Sequence, residues 1–243
     1  MIASVRRAGA LTALLLGLAG SAWAQDADST AAPIGHTPGR GGIGALIGSS
    51  LLVADGDYSA GAQPRLSLTG YYRYVLGAGS RWQISPMYTW AAYTNTEDLP
   101  FPDPNYPGDT KKDQVLSQMV GVSAQYQKVW GAGRSLWHLG AGPGFYRVWV
   151  QNRRKVLQDP DSKSRHRGLY LGASAELGYE RFLKSLPSTS IEVTGAWHAA
   201  FASDDTKFPR GFNGNPMFAE IRVGGNYYFD FNRKKPDDAG AKQ

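Results

Sequence analysis

Ala219-Glu220-Ile221-Arg222-Val223-Gly224-Gly225-Asn226-Tyr227-Tyr228-Phe229-Asp230-Phe231 is the stretch that decides the fold. Ala219, Ile221, Val223, Gly225, Tyr227, Phe229 and Phe231 share one parity, and Glu220, Arg222, Gly224, Asn226, Tyr228 and Asp230 share the other. Successive side chains of a strand point to opposite faces. This alternation therefore builds a strand with one face suited to lipid and the other to water.

The same period recurs toward the N-terminus. In Ser190–Phe201, Ile191, Val193, Trp197 and Phe201 alternate with Glu192, Thr194, His198 and Ala200. In Leu169–Glu180, Leu169, Leu171, Leu177 and Tyr179 oppose Tyr170, Ser174, Glu176 and Glu180. Leu66, Leu68, Tyr72, Tyr74 and Leu76 oppose Ser67, Thr69, Tyr71 and Arg73. Weaker strands are read at Gly42–Val53, Arg81–Thr94, Gln114–Val129 and Leu136–Val150, which brings the number to eight. Pro86 and Pro143 interrupt two of these and are expected to mark bulges or bends, because proline cannot donate to a ladder.

Connection length is a second signal. Gly77–Ser80, Gly131–Arg134 and Lys184–Ser188 are short. Asp55–Pro64, Asn95–Asp113, Gln151–Arg167 and Ser203–Pro216 are long and polar. Short turns on one rim and long loops on the other are the habit of outer-membrane barrels. Internal repetition agrees with this reading. Tyr72–Gly79 (YRYVLGAG) is echoed by Tyr126–Gly133 (YQKVWGAG), and Tyr179–Leu183 is a looser copy. Each copy sets aromatic and basic residues at the short-turn rim, as an interfacial girdle requires.

The ends and the composition are consistent with an exported chain. Arg6 and Arg7, the apolar run Ala8–Ala19 and Ala22-Trp23-Ala24 read as a signal peptide over 1–24, cleaved after Ala24. The run is shorter than the roughly 20 apolar residues of a membrane-spanning helix. Residues 25–40 read as a flexible periplasmic lead, 41–231 as the barrel and 232–243 as a polar periplasmic tail. The 243-residue chain has no Cys, so no disulfide holds it, and its net charge is +6. Thirty Gly, thirteen Tyr and seven Trp at a mean hydropathy of −0.36 do not suggest a bundle of membrane helices. A barrel needs only one apolar side chain in two and satisfies its backbone between strands. The expected fold is all-β, an eight-stranded antiparallel up-and-down transmembrane barrel.

Arg222-Val223-Gly224-Gly225-Asn226-Tyr227-Tyr228-Phe229 resembles the closing strand of the small outer-membrane β-barrel superfamily, which contains the OmpA transmembrane domain and OmpX-like proteins. The resemblance implies an assembly signal carried by Arg222, Gly224, Tyr227 and Phe229 and read by the barrel assembly machinery. The chain departs from the pattern in continuing past Phe231. Asp55-Gly56-Asp57-Tyr58-Ser59 after a Gly-rich first strand also looks like this group. Neither motif specifies an activity.

Parity places Arg73, Glu176, Glu180, Glu192, Glu220, Arg222 and Asp230 in the lumen. Eight strands leave an interior that side chains fill, so paired charges forming a plug outweigh an ion path or a catalytic carboxylate pair. His198 is also lumen-facing. Lipid A deacylase barrels place a Ser two residues after such a His, whereas Ala200 stands here and Ser203 is out of register. No catalytic residue is assigned, and with His36, His138 and His166 scattered, neither a metal nor a cofactor is expected. The third long loop carries Arg153, Arg154, Lys155, Lys163, Arg165, His166 and Arg167 against Asp159 and Asp161. It reads either as a basic patch for lipopolysaccharide phosphates or another anionic polymer, or as a solvated loop. Glu97, Asp98, Asp103 and Asp109 are interleaved with prolines that break cation-ligand spacing, and Lys234-Lys235 is too short a run for nucleic acid. A non-enzymatic outer-membrane barrel leads, ahead of a barrel for small apolar molecules, a lipid A-modifying enzyme and a soluble lipocalin-like barrel. The apolar-molecule barrel would need an apolar chamber, whereas the lumen faces read polar.

Overall fold

A computed structural model of the chain describes residues 37–53, 62–94, 114–152, 155–156, 165, 167–202 and 216–230. Eight long strands follow in chain order. They are β1 (Arg40–Val53), β2 (Arg65–Gly77), β3 (Ser80–Thr94), β4 (Gln114–Ala132), β5 (Ser135–Asn152), β6 (Arg167–Phe182), β7 (Thr189–Ala200) and β8 (Met217–Asp230). Each pairs antiparallel with its chain neighbours, and β1 pairs with β8 from Arg40↔Asp230 to Val53↔Met217. The sheet is therefore a closed eight-stranded up-and-down barrel with no edge left open between first and last strands. Two short segments extend the wall at the long-loop end, Ala62–Gln63 on β3 and Lys155–Val156 on the end of β5.

The turns at Ala78-Gly79 and Gly133-Arg134 are tight, so several strands run one to three residues further than the alternation predicts. Gly133 has φ +59°, a left-handed conformation that its lack of Cβ allows. At the two prolines the register decides against the bulge, one of the two expected alternatives. Pro86 keeps its rung with Val122, and Pro143 keeps its rung with Ala173. On the other side of each, two rungs are missing but the register resumes unchanged, at Thr69↔Met87 and Tyr72↔Ile84 and at Ser123↔Gly144 and Tyr126↔Ala141. The absent N–H removes local bonds without inserting a residue, so neither proline makes a bulge.

Alternation becomes inside and outside. Leu169 and Leu171 on β6 are 60% and 70% exposed on the outer wall, while Arg73, Glu180 and Glu192 are 0% exposed inside. The lumen is most polar in its middle and holds an apolar cluster toward each end, which refines the reading of polar lumen faces. Near the long loops, Leu52, Met87, Met119, Tyr146, Val148 and Phe218 pack together. Near the short turns, Val75, Val129, Leu136, Phe182 and Tyr228 do the same. Most of the first group comes from β3–β5, where the sequence alternation is weakest.

Glycine makes room for rings inside the narrow barrel. A Cβ on Gly44 would strike the Tyr71 ring, and one on Gly121, Gly144 or Gly172 would strike Tyr146. The Tyr71 and Tyr146 rings occupy the space that side chains at these glycines would fill.

Candidate functional site

The middle of the lumen is a belt of charges drawn from six strands. Arg73 comes from β2, Arg81 from β3, His138 from β5, Glu176 and Glu180 from β6, Glu192 from β7, and Glu220 and Arg222 from β8. All are buried. Taking charges out of water is costly unless each finds close partners. The belt pairs its charges in three guanidinium-centred groups, with Arg81 Nη2, His138 Nδ1 and Glu220 Oε1 left without a hydrogen-bond partner among the described residues.

Arg73 Nη1 and Nη2 donate to Glu192 Oε2 and Oε1 at 2.7 and 2.6 Å, and its Nε donates to Gln83 Oε1 at 2.5 Å. Tyr71 Oη donates to the same Glu192 Oε2 at 2.7 Å, and the guanidinium lies 4.1 Å from the centre of the Tyr71 ring. Nearer the short turns, Arg81 Nη1 donates to Glu180 Oε2 at 2.9 Å and to Tyr228 Oη at 2.8 Å, while its Nε reaches Gln127 Oε1 at 2.5 Å. Glu180 Oε1 also accepts from Ser190 and Asn226. Toward the long loops, Arg222 Nη2 donates to Glu176 Oε2 at 2.5 Å and Nη1 to Thr69 Oγ1 at 2.6 Å. Glu220 Oε2 lies 3.4 Å from Arg222 Nη1 and accepts from Ser67 Oγ at 2.6 Å.

His138 joins these groups. Its Nε2 is 3.2 Å from Glu176 Oε1 and 3.3 Å from Glu192 Oε1. One imidazole and two carboxylates are a set that could hold a metal. His138, scattered from other ligands along the chain, has two carboxylates beside it in the fold. The donor set is already committed, however. Glu192 Oε1 accepts from Arg73 Nη2, and Glu176 Oε1 accepts from Gln127 Nε2 at 3.1 Å. The arrangement is that of an ion-pair network cross-linked between strands.

The sequence-expected residues divide as follows. Arg73, Glu176, Glu180, Glu192, Glu220 and Arg222 meet in one belt. Asp230 does not join it. It lies at the short-turn rim, 3.8 Å from Arg40 and with its side chain 41% exposed, because strand β8 ends there. His198 points into the lumen, its Nδ1 3.1 Å from Tyr146 Oη, and Ala200 packs in the long-loop apolar cluster. Ser203, His36, His166, Arg153, Arg154, Phe231, the leader 1–24 and the tail 232–243 lie outside the described residues. So do 25–36 of the lead, whose last residue, Arg40, is already in β1. Lys155 is placed by its backbone, opposite Asn152, and Arg165 and Arg167 are exposed at the start of β6. In the closing strand, Arg222 faces in, Tyr227 and Phe229 face out, and Gly224 lies so close to the Ala45 carbonyl that a Cβ would overlap it.

Arg81, His138, Gln83, Gln125 and Gln127 are the residues that the sequence reading missed. A signal was available, because Arg81, Gln83 and Ser85 alternate with Trp82, Ile84 and Pro86.

The outer wall carries aromatic groups at both ends. Trp82 and Tyr126 stack edge-on at 5.6 Å, and Trp137 and Tyr179 meet at 5.0 Å, toward the short turns. Near the long loops Tyr88 lies 5.4 Å from Trp90 and 6.4 Å from Trp149.

No family model and no curated protein matches the chain. Among solved structures, the chain is similar to Neisserial surface protein A (NspA), with a TM-score of 0.49 and 11% identity over 78% of this chain and 97% of that one. It is similar to Ail, the attachment invasion locus protein of Yersinia pestis, with a TM-score of 0.44, 11% identity and coverage of 79% and 100%. The outer membrane protein OprG from Pseudomonas aeruginosa matches with a TM-score of 0.43, 13% identity and coverage of 80% and 98%.

Proposed function

We propose that the chain is a non-enzymatic integral barrel of a Gram-negative-type outer membrane, plugged by its own side chains and holding long loops at the cell surface. One observation carries this reading, namely that polarity is inverted relative to a soluble barrel. Ile43, Ile47, Leu139, Leu169 and Leu171 stand exposed around the wall, while three arginines and four glutamates are buried within it. A lipocalin-like barrel in water would bury the apolar parity instead, whereas a bilayer makes the outward apolar face favourable. The aromatic pairs at both ends of the wall match the interfaces of such a layer.

In this reading the N-terminal leader exports the chain and the barrel assembly machinery inserts it through the closing strand. The lipid and lipopolysaccharide of the outer membrane are its surroundings, and the loop bearing Arg153, Arg154, Lys155, Arg165 and Arg167 meets anionic groups at the surface. The lumen network contributes rigidity to the envelope, and no nucleic acid or cofactor is involved. The test is cell fractionation followed by gel electrophoresis of boiled and unboiled samples. Recovery from the outer membrane with a heat-dependent shift in mobility is expected. Recovery in the soluble periplasm would overturn the proposal.

A further inference from the structure

Ladder register aligns a row of outward side chains just beneath the long loops. Trp90 pairs with Gln118, Gln118 with Trp149, and Trp149 with Arg167. The next row inward runs Tyr88, Val120, Arg147, Leu169, and the one beyond it Pro86, Val122, Phe145, Leu171. The wall thus changes within two rows from wholly apolar to aromatic and cationic. Arg147 sits at that boundary.

Its setting is unusual for a cation. Arg147 is exposed on the outer wall, and its cross-strand neighbours are Val120 and Leu169. Neither offers a counter-charge. Arg167 lies diagonally across the β5–β6 ladder, at the spacing of about 7–8 Å that such pairs have. Two long flexible side chains at that spacing can close on one anion from both sides. Arg165, also exposed, follows at the loop end, its carbonyl accepting from the Arg167 N–H at 2.7 Å. At the same end of the barrel, the described outward positions on β7, β8 and β1 include Trp197, Ala219, Leu51 and Val53, with no cationic side chain among them. Among the described outward positions at this end, the β5–β6 sector carries Arg147 and Arg167, while Arg65 on β2 has the inward parity and donates to Pro64 O and Gln63 Oε1.

We propose that this sector binds the phosphate of a phosphorylated glycolipid in the surrounding outer leaflet. Arg147 and Arg167 clamp the phosphate, and Leu169, Leu171 and Phe145 support the acyl chains. The inference rests on the membrane reading above. Chemistry favours this occupant, because an arginine at the apolar boundary extends toward the headgroup layer and guanidinium groups bind phosphate through charge-assisted pairs. Acyl chains match the exposed leucines directly below, which a soluble anion would leave bare.

The full-length chain is refolded into phosphatidylcholine nanodiscs containing bis-phosphorylated lipid A, its dephosphorylated counterpart, or neither. Native mass spectrometry then reads the glycolipid retained after gentle release. Wild type is expected to retain the phosphorylated lipid about tenfold or more above the R147A/R167A variant, from the strength of hydrogen bonds to charged groups. It should exceed its own retention of the dephosphorylated lipid similarly. K128A, which removes one cation near the short turns, should match wild type. Equal retention by R147A/R167A, or of the dephosphorylated lipid, overturns the site. R147Q and R167Q singly provide the same comparison if the double variant fails to fold. A chain that shows no heat-modified form in any nanodisc would sink the membrane reading itself, whereas an inserted chain without selective retention sinks only the lipid site.

Discussion

Arg73 and Glu192 meet in a two-pronged ion pair across the closed lumen, at 2.7 and 2.6 Å, although 119 residues separate them in the chain. Both are inaccessible to solvent, and Tyr71, Gln83 and Asn226 complete their hydrogen bonds. The pair fastens β2 to β7, two strands that do not neighbour each other in the sheet.

Removing one partner should therefore cost more than removing both. Glu192→Ala leaves a buried guanidinium uncompensated and is expected to destabilise the barrel by about 3–5 kcal/mol. The combination of Glu192→Leu with Arg73→Met should recover a large part of that loss. Urea unfolding of the refolded protein in lipid vesicles, followed by tryptophan fluorescence, measures both. A double variant no more stable than the single would show that the pair is not the unit of stability.

The belt and the two apolar clusters should leave no continuous water path. Purified protein in planar bilayers is expected to show no stable single-channel conductance, since an eight-stranded interior is filled by side chains. Steady, graded conductance steps would contradict a plugged barrel.

Glycine positions differ sharply in what they tolerate. Gly144→Ala pushes a methyl into the Tyr146 ring and should cost about 1–3 kcal/mol. Gly195→Ala has no atom within 4 Å of the new carbon and should be close to neutral. Unfolding midpoints of the two variants make the comparison. Equal midpoints would mean that Tyr146 can move aside freely.

The closing strand offers a test of assembly. Tyr227 and Phe229 share the outward face with Val223, next to the short-turn rim. Replacing both with Ala is expected to reduce folded barrel in the outer membrane far more than deleting 236–243, which has neither alternation nor aromatics. The quantity to compare is the heat-modifiable fraction of each variant in isolated membranes. Greater damage from the tail deletion would place the assembly signal beyond Phe229.

The sequence by itself determined the strands, their number, and how the residues of β2, β6, β7 and β8 divide between two faces, while burial in the structure decided which face turns inward. Period-two patterning is local, and a shift by one residue would send every leucine of a strand to the wrong face. Arg73, Glu176, Glu180, Glu192, Glu220 and Arg222 were legible for that reason. Asp230 was misplaced, because parity gives direction but not depth, and the lumen ends before the strand does. The tertiary structure alone decided the pairing. Which glutamate each arginine takes depends on the relative stagger of strands around the closed barrel, and that stagger is set by all eight ladders together. His138 shows the difference most plainly. Nothing near it in the chain suggests a partner, yet register brings it to Glu176 and Glu192 from two other strands. The same geometry sets Arg147 beside Arg167 on the outer wall, from strands whose intervening loop is long and polar.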